Sequence, residues 1–78
     1  MLKRLSTISV GQSVVINSFT NNEIFLKLME MGCLPGEIIS VEKIAPLGDP
    51  ISIKVAGYIL SLRINEAESI VVDTNISI

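Results

Sequence analysis

Ile51-Ser52-Ile53-Lys54-Val55-Ala56-Gly57-Tyr58-Ile59-Leu60-Ser61-Leu62 is the stretch from which the fold is read. Ile51, Ile53 and Val55 occupy one face, Ser52 and Lys54 the other, and this two-residue period is that of a half-buried strand. Ala56-Gly57 makes a tight turn, and the next strand places Tyr58, Leu60 and Leu62 inward, with Ser61 and Arg63 outward. Upstream lies Ala45-Pro46-Leu47-Gly48-Asp49-Pro50, with two prolines, a glycine and an aspartate in six residues. Proline fixes φ and pushes its predecessor toward extended geometry. Gly48 tolerates a positive φ, and Asp49 can bond its own backbone two residues on. The segment therefore predicts a rigid loop with an apolar tip at Leu47.

Further outward, Gly11-Gln12 makes a turn and Ser13–Phe19 reads as a strand. Thr20 and Glu23 have the spacing of a capping box, and Phe19 and Ile24 stand at its staple positions. Ile24, Leu28 and Met31 line one helical face, with Phe25 on its flank. Gly32 suits a left-handed C′ residue and Pro35 prevents continuation, so a helix is expected over about Asn21–Met31. A strand follows near 37–44. Ile64, Ala67 and Ile70 suit one helical turn before a short strand at Ile70–Val72. These elements predict a mainly β fold: a small SH3-like closed barrel of about five strands, one inserted helix and a helical turn before the last strand. Residues 1–73 form the domain and 74–78 a tail.

Composition narrows the function. The chain has 78 residues, 49% of them hydrophobic and only 18% charged, so one apolar core serves in place of disulfides or metals. Six basic against eight acidic residues leave a charge of −2, and only Phe19, Phe25 and Tyr58 are aromatic. Nucleic acid binding needs neutralised phosphates and stacking platforms, and neither is supplied. The single Cys33 excludes an intrachain disulfide, and no apolar run reaches the length of a membrane span. A soluble cytoplasmic protein without membrane insertion is expected. The chain has no histidine, which removes Ser-His-Asp and Cys-His catalysis and the usual zinc or iron ligand sets. Neither an enzyme nor a cofactor or metal site is expected. Cys33 reads as a buried small residue, and Glu30, Glu37, Glu42, Glu66 and Glu68 as solvated charges. Arg63 reads as pairing with Glu66 or Glu68 or contacting an acidic partner.

Four motifs stand in order: Leu28-Met29-Glu30-Met31-Gly32, Leu34-Pro35-Gly36, Ala45-Pro46-Leu47-Gly48-Asp49-Pro50, and Gly57-Tyr58-Ile59-Leu60-Ser61-Leu62-Arg63 followed by Glu66-Ala67. This series, from about Leu5 to Val72, resembles the FeoA family, the small cytoplasmic component of bacterial ferrous iron transport. The resemblance implies an SH3-like barrel and a non-enzymatic accessory role through contact with the FeoB transporter and its cytoplasmic G-protein domain. The same domain is appended to metal-dependent repressors of the diphtheria toxin repressor type, so a metal-responsive regulatory domain is the alternative. Candidate contact residues are Leu28, Met31, Pro35, Leu47, Pro50 and Arg63. An exposed barrel edge or the apolar tail offers a route to weak homo-oligomers.

Overall fold

The computed structural model describes residues 1–76; the last two positions of the expected tail lie outside the described residues. Six strands and two helices run in the order β1 (Leu2–Arg4), β2 (Ser13–Phe19), α1 (Asn22–Met29), β3 (Ile38–Ile44), β4 (Ile51–Val55), β5 (Tyr58–Leu62), α2 (Ile64–Glu68) and β6 (Ile70–Asp73). All strand pairs are antiparallel in one sheet of order β1-β6-β2-β3-β4-β5. The fold is mainly β, with two corrections. A sixth strand, β1, pairs with β6, which runs to Asp73, one residue past the expected strand end at Val72. The sheet is also open, because β1 and β5 are its two edges and do not pair with each other.

The alternation seen in the sequence becomes the core. Val14 and Ile16 of β2, Ile39 and Val41 of β3, Ile51, Ile53 and Val55 of β4, and Ile70 and Val72 of β6 are all buried. Register shifts at Ile16/Ser18 and Val41/Lys43 mark bulges, which bend a strand and increase its twist. They let the sheet curl over its apolar face, with Leu5 and Leu28 completing the interior.

Helix α1 is shorter than the expected span and is capped differently. The Asn21 side-chain oxygen accepts from the backbone N–H of Glu23 at 2.9 Å and of Ile24 at 3.2 Å. Thr20, the expected cap, instead donates its backbone N–H to the Ser69 carbonyl at 2.9 Å, tying the helix entry to the start of β6. With the cap moved by one residue, Phe25 takes the fourth helical position, and Phe19 packs on it with ring centroids 5.1 Å apart and planes tilted by 51°. At the other end Gly32, at φ +90°, closes a Schellman motif, as its position predicts. Its N–H bonds the Met29 carbonyl at 3.1 Å, and the Cys33 N–H bonds the Leu28 carbonyl at 3.0 Å.

Candidate interaction site

The β3–β4 loop is held from within and from outside. The Gly48 N–H donates to the Ala45 carbonyl at 2.7 Å, and the Ala45 N–H to the Pro50 carbonyl at 3.1 Å. Asp49 does not fold back on its own backbone; its carboxylate accepts the Ile64 N–H at 3.2 Å, at the first turn of α2. These bonds fix the loop against α2 and leave Leu47 96% exposed. An apolar side chain so fully in water, on an ordered loop, gains nothing from the fold itself.

Beside this loop a groove of about 500 Å³ separates α1 from α2, lined by Asn21, Glu23, Ile24, Lys27, Arg63, Asn65 and Glu66. One ion pair spans it: Lys27 Nζ lies 2.6 Å from Glu66 Oε2. Glu66 is not a solvated charge, since its side chain is only 8% exposed. Its other oxygen accepts the Arg63 N–H at 2.8 Å, so a carboxylate at the third helical position caps α2 while reaching to α1. Burial pushes the Glu66 carboxyl up, but the hydrogen bonds from Lys27 and Arg63, with their charges, outweigh it and hold the group below its ordinary value. Arg63 thus meets Glu66 through its backbone; among the described residues its guanidinium has no hydrogen bond or ion pair, and the pairing expected with Glu66 or Glu68 is not made.

A carboxyl whose folded value is depressed stabilises the fold above its unfolded value and loses that contribution as pH falls through the folded one. Glu66→Gln keeps an acceptor for the Arg63 N–H and removes the charge. It is expected to cost about 1 kcal/mol at neutral pH, because Lys27 is largely in water. Below pH 4.5, the ordinary glutamate value, the parent melting temperature should fall toward that of the variant. Thermal melts from pH 7 to 3 check this, and parallel curves would refute it.

The other candidate residues are dispersed. Leu28 is wholly buried, so it presents no surface to a partner; Met31 is half-buried against the core. Pro50 is half-buried in the β3–β4 loop, beside Asp49. Pro35 is exposed on a second depression of about 210 Å³, lined also by Asn17, Ser18, Phe19, Asn22 and Phe25. Leu47 and Pro50 share the β3–β4 loop, which the Asp49 bond to Ile64 ties to the start of α2, next in sequence to Arg63. Lys27 and Glu66 were not legible as groove residues; the only signal was the three-residue interval from Arg63 to Glu66, and arginine offers no acceptor to complete a capping box. Tyr58 also departs from its expected inward position: it is 42% exposed, and its hydroxyl donates to the Met31 carbonyl at the end of α1.

Cys33 is buried, and that burial, with the charge of Glu37, pushes its thiol up. Among the described residues no group of three or more Cys, Asp or Glu is placed to hold a metal ion, and no helix is long and apolar enough to cross a membrane. The class so defined is a small, mainly β domain of SH3-like fold. The FeoA domain family matches residues 3–74, and the chain belongs to it. It is 37% identical over 71 residues to the Fe(2+) transport protein A/Fe(2+) transporter FeoB fusion protein of Porphyromonas gingivalis, covering 90% of this chain and 8% of the fusion. The chain thus spans less than a tenth of that relative's length. The solution structure of a FeoA-like protein from Clostridium acetobutylicum superposes with a TM-score of 0.88 at 32% identity, covering 97% of this chain and 90% of the other. Stenotrophomonas maltophilia FeoA complexed with zinc, a procaryotic SH3 domain protein, gives 0.77 at 32% identity over 94% and 89%.

Proposed function

We propose that this protein is a non-enzymatic cytoplasmic accessory of bacterial ferrous iron uptake, acting by contact with the cytoplasmic domain of a FeoB-type transporter. The face used is the Leu47 loop and the adjoining α1–α2 groove. The observation that carries this reading is the Leu47 tip, 96% exposed on a loop fixed by internal bonds and by Asp49 to α2. A contact made by a pre-ordered loop loses little conformational entropy on binding. The fusion of the two modules in the Porphyromonas gingivalis relative supports the choice of partner, since one chain holds them at high effective concentration. Arg63, whose guanidinium has no partner among the described residues, adds a cation at the groove rim, suited to an acidic group on the transporter.

The experiment is a pull-down and titration with the transporter's cytoplasmic domain, with and without guanine nucleotide. Leu47→Asp is expected to weaken binding by at least about tenfold while the melting temperature stays within about 2 °C. Arg63→Gln should weaken it less and reduce its salt dependence. Undiminished binding by Leu47→Asp would reject this face. The alternative, a metal-responsive regulatory domain, finds no comparable observation among the described residues; anaerobic calorimetry with ferrous ion separates the two.

A further inference from the structure

Helix α2 stands between the groove and the Leu47 loop, and two carboxylates hold its first turn. Glu66 Oε1 accepts the Arg63 N–H at 2.8 Å, and Asp49 Oδ1 accepts the next N–H in the chain, that of Ile64, at 3.2 Å. One carboxylate comes from within the helix and the other from the β3–β4 loop. Among the described residues the Asp49 bond is the only hydrogen bond from residues 45–50 to another segment. The loop therefore has a single polar anchor outside itself.

The two bonds are linked through one peptide unit. The Ile64 N–H lies in the plane that joins Arg63 to Ile64, so ψ of Arg63 sets its direction. That ψ is 152°, with φ at −69°, and the N–H groups of Glu66 and Ala67 close the first turn on the Arg63 carbonyl, both at 3.0 Å. A helix of five residues is too short to hold such a turn by propensity, because nucleation fixes several dihedrals for each bond gained. The Glu66 carboxylate supplies the missing restraint by returning to the Arg63 N–H, while Lys27 Nζ, 2.6 Å from its other oxygen, ties it to α1. Ala67 is buried and Ile64 packs against the core, so packing keeps α2 in place while the cap orients its first peptide.

We infer that Glu66 and Asp49 are positioning residues for Leu47: Glu66 orients the Ile64 N–H, and Asp49 uses that N–H to hold the loop tip in place. The chain of contacts runs from Lys27 on α1 through Glu66, the Arg63–Ile64 peptide and Asp49 to the loop. Neither carboxylate needs to touch a partner to act. Groove and loop tip then behave as one unit rather than as two neighbouring features, and loosening the groove side loosens Leu47. The consequence for transporter affinity rests on the function proposed above; the order of the loop does not.

Nitrogen-15 relaxation of the full chain, free in solution, reads that order. Leu47 and Gly48 should show backbone order parameters of about 0.85 in the parent and below about 0.6 in Asp49→Ala. Glu66→Ala should lower both values as well, although Glu66 lies outside the loop. Asp49→Asn and Glu66→Gln keep an acceptor oxygen and should match the parent. In the double variant of Asp49→Ala with Glu66→Ala the values should fall no further than in Asp49→Ala alone, since both changes break one chain of bonds. A merely structural role for Glu66 would lower the melting temperature and leave Leu47 as ordered as before. That result, or additive losses in the double variant, overturns the inference. Against the transporter's cytoplasmic domain, Asp49→Ala should bind about fivefold more weakly with Leu47 intact, because the tip must then be ordered on binding. A loosened loop with unchanged affinity would reject Leu47 as the contact and leave the positioning role standing.

Discussion

Gly32→Ala is expected to lower the stability of this domain by about 2–3 kcal/mol, for two separate reasons. The first is backbone: Gly32 sits at φ +90°, where an L side chain strains the chain, and it is the left-handed residue that ends α1. The second is space: a Cβ there would stand 2.6 Å from Tyr58 Oη, so the phenol must move and release the Met31 carbonyl. A 78-residue domain holds about 4–12 kcal/mol in all, so the loss is severe. The melting temperature should fall by about 10–20 °C. The two causes separate in a Tyr58→Phe background, where the atom that meets the Cβ is gone. There Gly32→Ala should cost about 1 kcal/mol less, leaving the backbone share. A single variant that melts like the parent would rule out both.

Leu28→Ala is expected to be at least as damaging, at about 2–5 kcal/mol by chemical denaturation. Leu28 is wholly buried and belongs to the same core as Ile16, Ile53 and Val72. Truncation leaves a void that a sheet with bonded neighbours on both sides cannot easily close. The contrast with Leu47→Asp is diagnostic. Both positions were candidates for contact in the sequence, yet one should fail through folding and the other through binding. If Leu28→Ala keeps full stability and loses only transporter affinity, the helix must present that residue outward in solution.

The local signals in the sequence were reliable where one face of an element is buried. The strict alternation of Ile51 to Val55 became β4, and Gly32 with Pro35 ended α1 through a Schellman motif. What escaped was decided by distant neighbours. Leu2-Lys3-Arg4 is exposed throughout and shows no alternation; it is a strand only because β6, some seventy residues away in sequence, offers an edge. Thr20 was the expected cap, and its neighbour Asn21 is the one observed. The choice fell to Asn21 because the Thr20 backbone is engaged by Ser69. Glu66 reads as surface charge by residue type, and its burial depends on Lys27 from another helix. For the candidate site, exposure of the Leu47 tip follows from proline and glycine chemistry within six residues. The groove beside it needs two helices brought together, which no local pattern encodes.

The hydroxyl of Tyr58 also gives the molecule an optical handle. The chain has one tyrosine and no tryptophan, so its near-ultraviolet absorbance and emission come chiefly from a single phenol resting on the carbonyl of Met31. Any event that loosens the end of the helix will change that chromophore's surroundings, and can be followed in the unlabelled protein.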